Sequence, residues 1–340
     1  MASISWASVT ARAPKRELGR GERVISGLWR LRLPLPWPGI PHCNAWAIAS
    51  GPGILLVDTG MHQPGSLAQL ERALDQVNLR LEHVQLLAIT HAHSDHWGQA
   101  APVVERAGCE MWMHPNHRHG TTGETEPEAA LTRRLEVARQ GGVPEVALQR
   151  YIEQIRGMPS GVARVIEPDR ALVEGVVLDS DLGPWHVYET PGHAPSHVCL
   201  FQPDRRLLVS GDHLLGRISL FFEYGWTPDP IGEFLRSLDV VEGLDARLCL
   251  SGHGRTFTDV QAHIEGNRRL VAERLDAAER GLAGGPVTAV ELVPAVFGEP
   301  LSAVTRWHLT ETLCYLRHLE VGGRAVPEPD GAVDRWRPVA

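Results

Sequence analysis

The sequence predicts an α/β protein built as four layers, αββα, in which two sheets pack face to face and helices cover their outer sides. Three observations point there. Strand-like segments precede helices in the first half, and the same order returns in the second. Strand and helix do not alternate as regularly as a doubly wound parallel sheet requires, and there is no Gly-rich phosphate turn. Two segments stand outside this pattern and predict a helical insertion and a small C-terminal helical domain. The expected boundaries are a leader over 1–22, the sandwich over 23–262 with its insertion at about 116–163, and the C-terminal unit over 263–340.

The elements follow in order. "RVISGLWRLRL", "NAWAIAS" and "GILLVDTG" read as strands. Leu67, Leu70 and Leu74 then mark one face of a helix from about Pro64 to Val77. A short apolar strand from Val84 ends near Thr90; a helix from about His96 to Ala107 and the strand "CEMWMH" come next. The insertion holds two helical stretches, "EPEAALTRRLEVARQ" and "PEVALQRYIEQIR". In the second, Leu148, Tyr151, Ile152 and Ile155 form an apolar stripe that must be covered, either as a lid over a cleft or as a homodimer contact. In the second half "ALVEGVVLDS", "WHVYETPG", "HVCLFQPD" and "RLLVSGDH" read as strands, followed by a helix at about Ile231–Val241 and the strand "ARLCLSGHG". A long helix from about His263, helices near Val287–Val296 and Leu301–Leu319, and a hairpin turning at Asp330-Gly331 complete a winged-helix-like unit.

Composition narrows the function. The formal charge is −8, and from Ala262 onward the chain carries 9 Arg against 11 Asp plus Glu, a poor balance for holding a polyanion. A small-molecule substrate is expected, with no nucleic-acid partner. No run approaches the roughly 20 apolar residues of a membrane span, and no export signal is read at the N-terminus. Five scattered cysteines without a C-x-x-C pair suit reduced thiols, so a cytoplasmic location is expected.

"AITHAHSDHWG", Ala88 to Gly98, places His91, His93, Asp95 and His96 just beyond a strand end. Later strand ends add His193 in "TPGHA", Asp212 in "SGDH" and His253 in "SGHG". Small residues adjoin them and let backbones approach closely. Imidazole with carboxylate is the donor set of Zn²⁺, with Fe or Mn as alternatives. Neither a G-x-S-x-G elbow nor a Cys–His pair supports covalent catalysis by a side chain. His114, His117 and His119 in "HPNHRH" are expected outside the site, the last two exposed at the start of the insertion. His213 is expected to pack or support a ligand, and His42, His62 and His186 have no evident partner.

The H-x-H-x-D-H run at His91–His96, the later His193, Asp212 and His253, and "VDTG" at Asp58 resemble the metallo-β-lactamase superfamily over about Val24–Ile264. The layout is similar to that of its glyoxalase-II-like hydrolases with a C-terminal winged-helix-like extension. The resemblance implies two metals. His91, His93 and His193 would hold the first; Asp95, His96 and His253 the second; Asp212 would bridge them. Asp58 would orient the ligand loop from behind. A water shared by two cations about 3.5–4 Å apart is acidified toward a pKa of ~7, and the hydroxide attacks a carbonyl or phosphoryl centre. Asp95 and Asp212 are the expected catalytic carboxylates.

An aspartate at the bridging place moves the expectation away from dedicated β-lactamases. Hydrolysis of an ester, thioester or lactone comes first. Endoribonuclease or phosphodiesterase action is the alternative, and β-lactam hydrolysis a further one. "GRISLFFEYGWTPDP", Gly216 to Pro230, supplies an aromatic wall beside the bridging residue, with Tyr224, Trp226 and Arg217 as candidate substrate contacts.

Overall fold

The computed structural model describes residues 18–37, 39–302 and 307–339. Seven strands form the first sheet, in sequence order: β1 (Arg20–Ile25), β2 (Leu28–Trp37), β3 (Ile40–Ser50), β4 (Gly53–Val57), β5 (Val84–Ala88), β6 (Glu110–Met113) and β7 (Arg170–Ala171). β1 to β4 run as antiparallel neighbours, and β4 to β7 pair in parallel. The second sheet holds β8 (Val177–Leu178), β9 (Trp185–Glu189), β10 (Val198–Gln202), β11 (Leu207–Gly211) and β12 (Leu248–Ser251), in the order β12-β11-β10-β9-β8. The expected leader boundary at 22 falls inside β1, which already pairs Arg20 with Arg32; residues 1–17 lie outside the described residues.

Helices α1 (Ser66–Asp75), α2 (Ser94–Trp97) and α3 (Ala100–Ala107) belong to the first half. The single helix expected from His96 is split at Gly98-Gln99, where Gln99 Nε2 donates to the Thr59 carbonyl. The insertion contains three helices, α4 (Arg118–Thr125), α5 (Pro127–Gln140) and α6 (Glu145–Ile155). Then come α7 (Pro230–Gly243), α8 (Val260–Leu282), α9 (Ala289–Phe297), α10 (Trp307–Val321) and the hairpin β13 (Ala325–Asp330)–β14 (Val333–Pro338).

Three apolar clusters account for the layers. Leu28, Trp46, Ile48, Leu55 and Val57 meet Trp185, Val187, Val198, Leu200 and Val209 between the sheets. Leu31, Leu56 and Leu87 pack under Leu70, Leu74 and Val103 of α1 and α3. The outer face of the second sheet, through Cys199, Phe201, Leu208 and Cys249, shares one core with α7, α8, α9 and α10. That core also takes Ala147 and Leu148 of α6, and the insertion is tied to the start of α9 by the Val290 N–H on the Gly141 carbonyl. Burial of these side chains is the main favourable term, about 25 cal/mol per Å² of apolar surface removed from water. The consequence for function is positional: β4, β5, β11 and β12 end together at one rim of the sandwich, with the β9–β10 turn beside them.

Candidate metal centre

Each rim segment delivers a polar side chain by a local device. Asp58, directly after β4, takes a left-handed backbone at φ 64°, which Asp tolerates better than most residues. That turn aims its carboxylate at the next strand end, where it accepts from Thr90 N (2.8 Å), Thr90 Oγ1 (2.9 Å) and His96 Nδ1 (2.8 Å). The loop so pinned carries His91 and His93, and its first helical turn, α2, carries Asp95 and His96. After β11, the Asp212 N–H donates to His197 Nε2 (3.1 Å), and His197 is fixed through Nδ1 by Thr190 Oγ1 (2.8 Å). After β12, Gly252 leaves room that no side chain could share: a Cβ there would stand 2.1 Å from Asp212 Oδ1 and 2.7 Å from His96 Cε1.

All seven expected ligands converge. His91, His93 and His193 bring one donor atom each within 4.8 Å of one another, as do Asp95, His96 and His253, and also His91, His96 and Asp212. His193 Nε2 lies 2.9 Å from His93 Nδ1, and His253 Nε2 lies 3.1 Å from Asp95 Oδ2. Asp212 sits between the two groups. Its Oδ2 is 3.7 Å from His193 Nε2 and 3.2 Å from His253 Nε2, and its Oδ1 is 3.4 Å from His96 Nε2.

The outward nitrogens of the five imidazoles are held by the protein. His91 Nδ1 meets Thr90 Oγ1 (3.0 Å), His96 Nδ1 meets Asp58, His193 Nδ1 meets the Phe221 carbonyl (3.0 Å) and His253 Nδ1 meets the His42 carbonyl (3.0 Å). His93 turns its Nε2 toward Glu223 Oε1 at 3.3 Å. Such partners fix ring orientation and tautomer and leave the other nitrogen as the donor to a metal. His91 Nε2, His96 Nε2 and Asp212 Oδ1 are closed off from solvent and lack a hydrogen-bond partner among the described residues. Buried donors and acceptors left so would be costly without a cation to satisfy them. The residues present therefore fit a divalent metal.

Burial and the nearest charges set each group's protonation, and Glu223 with Asp95 and Asp212 outweighs burial to raise His93. Burial, reinforced by His96, His93 and His193, holds the His91 imidazole well below its ordinary range. Burial with the charge of His93 pushes His193 down to about 3. Burial works in the same direction on His253, but Asp212 and Asp95 outweigh it and raise that group to about 10. Asp212 is held well below the usual carboxylate range because His253 and His96 overcome its desolvation.

The remaining expectations divide. Trp226 lies at the edge of the site, its ring 6.2 Å from that of His119, with the Arg133 guanidinium stacked 3.7 Å over it. Tyr224 instead packs half-buried against the core shared with the C-terminal helices, and Arg217 is exposed. The expectation that His119 is exposed is corrected: its side chain is fully buried, because α4 carries it inward against Glu223. His213 is buried edge-on to Phe234, in keeping with a packed role, and burial lowers it to about 3. His42 does have partners, since its carbonyl supports His253 and its ring Nε2 lies 3.2 Å from Arg30. Glu223, His197 and Ser196 escaped the sequence reading; only the position of Glu223 within the aromatic run hinted at the site.

A four-layer sandwich with a His/Asp cluster at the strand ends defines a metal-dependent hydrolase. The family model described as "Metallo-beta-lactamase superfamily" matches residues 38–253, and the chain belongs to that superfamily. It is 27% identical over 289 residues to the probable metallo-hydrolase YqjP of Bacillus subtilis, covering 80% of this chain and 86% of the relative. It is 23% identical to the atrochrysone carboxyl ACP thioesterase dmxR1 of a Cryptosporiopsis species, covering 86% of this chain and 79% of that one. The metallo-beta-lactamase family protein TTHA1429 of Thermus thermophilus superposes with a TM-score of 0.80 at 27% identity, over 93% of this chain and all of that one. A beta-lactamase domain protein from Burkholderia ambifaria has the same fold, with a TM-score of 0.80 at 24% identity, over 99% and 98% of the two chains.

Proposed function

We propose that this metallo-hydrolase works with two metal ions, zinc in the first instance with iron or manganese as alternatives, and cleaves an ester, thioester or lactone. The observation that carries the reading is the place of Asp212 Oδ2, within 3.7 Å of a donor from one ligand triad and 3.2 Å of a donor from the other. In this reading His91, His93 and His193 hold one ion, Asp95, His96 and His253 the other, and Asp212 faces both. When bound, the ions supply Lewis acidity and an acidified water.

The chain's own groups do the rest. Burial pushes the Asp95 carboxyl up, but His96 and His253 more than offset this and keep it ionised. Asp95 therefore serves as the acceptor that orients the attacking water through one of its protons. Phe221, its ring 5.7 Å from His93 and 5.6 Å from His193, screens the first triad, and Trp226 with Arg133 borders the approach. An apolar rim with one cation suits an acyl group joined to a polar or anionic carrier. The relatives named as ACP thioesterases support the acyl class. Arg217, which is exposed, is retained as a contact of the more distant part of such a substrate.

The test is a panel of thioesters, esters, lactones, β-lactams and short RNAs offered to the metal-loaded protein. Turnover is expected among the acyl substrates. Cleavage confined to RNA, or to β-lactams, would replace the reading with one of its alternatives.

A further inference from the structure

Glu223 and His119 take no part in the seven-ligand set, yet both reach it. Glu223 Oε1 lies 3.3 Å from His93 Nε2, the nitrogen that faces away from His193, and Glu223 Oε2 lies 2.5 Å from His119 Nδ1. His93 Nε2, His119 Nδ1 and Glu223 Oε2 are closed to solvent and have no hydrogen-bond partner among the described residues, so the ion-pair contacts of Glu223 with the two rings are what compensates their burial. The far nitrogen of His119 meets Ser196 Oγ at 2.7 Å, and the same hydroxyl accepts the Ala92 N–H at 3.0 Å. Ala92 is the residue between His91 and His93. A ring of contacts thus runs from the ligand loop through Ser196, His119 and Glu223 back to the ligand loop.

A second feature brings α4 to the same place. A Cβ on Gly120 would stand 1.7 Å from the Ala92 carbonyl oxygen, so only glycine lets this helix lie on the loop. The insertion, whatever its outer helices cover, braces the metal loop with its first helix.

We propose that Glu223, held in place by His119 of the insertion, is a positioning residue for His93. Its carboxylate keeps the proton of His93 on Nε2, which leaves the Nδ1 lone pair directed at the first metal. The proposal rests on His93 being a metal ligand. Loss of a carboxylate partner behind a ligating imidazole weakens metal affinity by about 10–100-fold.

The experiment is a titration of chelator-stripped protein with Co²⁺, followed by the visible d–d bands and by equilibrium affinity. Glu223→Ala should bind the first ion about 10–100-fold more weakly, with shifted bands. Glu223→Gln, whose carbonyl still accepts from His93, should recover most of both. His119→Ala should move the bands in the same direction as Glu223→Ala, and by less. Wild-type affinity and spectrum in Glu223→Ala and His119→Ala would overturn the proposal. So would a third Co²⁺ in the wild-type protein that Glu223→Ala removes, since His93, His119 and Glu223 would then be a cation site in their own right. Failure of the wild-type protein to bind Co²⁺ at all would instead overturn the metal reading beneath it.

Discussion

Gly252 and Asp212 share one small space: a Cβ on the glycine would lie 2.1 Å from Asp212 Oδ1. The Asp212 carboxylate can occupy its position only because the first residue after β12 has no side chain. Gly252→Ala must displace Asp212 or His96. We expect metal affinity and turnover to fall by about 10–100-fold, with an overpacking cost of about 1–3 kcal/mol in stability. Metal titration alongside thermal melting checks this, and unchanged metal affinity would contradict it.

Asp58 reaches the His/Asp cluster only through its neighbours. Its replacement by Ala removes the acceptor for Thr90 N, Thr90 Oγ1 and His96 Nδ1, all buried. Each orphaned donor costs about 1–3 kcal/mol, and the three are not additive. Asp58→Ala should therefore lose both stability and the ion held by His96, whereas Asp58→Asn should keep part of each. Denaturant unfolding with and without metal separates the two effects.

Metal binding should release protons. In the metal-free protein, Asp212 and Asp95 outweigh burial and hold His253 at about 10, and Asp212, Asp95 and Asp58 likewise raise His96 well above its ordinary range. At pH 7 both are imidazolium and must lose a proton to ligate. Metal affinity therefore rises with pH until His253 is neutral near 10. The same raised values stabilise the metal-free fold fully below the unfolded histidine pKa of about 6.5, and this contribution is lost as pH rises toward 10. Calorimetry in buffers of different ionisation enthalpy measures the released protons, and their absence would contradict the assignment.

On α6, Leu148 is sealed into the core while Tyr151, Ile152 and Ile155 are only half-buried. We expect the pair of changes Tyr151→Ala and Ile155→Ala to alter kcat/KM ratios across the substrate panel with metal content intact, as a lid would. Sedimentation velocity on the same protein distinguishes a subunit contact: unchanged ratios with a shifted sedimentation coefficient would refute the lid.

The converging His and Asp side chains were legible in the sequence because they cluster just beyond the ends of apolar strands, beside small residues. What supports them was not. Glu223 and His119 meet only through tertiary packing, and His119 meets Ser196 across 77 positions. The helix that carries His119, "RHGTTGET", is poor in helix formers and exists by docking on the Ala92 loop. The helix expected from His96 runs through Gly98-Gln99 as one, because the competing hydrogen bond from Gln99 to Thr59 comes from another strand end. The hairpin turn after Asp330 was readable, since Asp330 pairs with Val333 across a two-residue loop that opens with glycine. Tyr224, placed in the sequence soon after Asp212, turns instead to the C-terminal core, a choice of face that an irregular segment does not announce.

The central claim is that Asp212 serves two ions at once. Elemental analysis of protein purified without chelator, set beside Asp212→Ala, tests it most directly. The account predicts close to two transition-metal ions per wild-type chain, and in the variant the loss of at least one ion with nearly all turnover. A reproducible content of one ion with full activity, or an Asp212→Ala protein that keeps two, would contradict it.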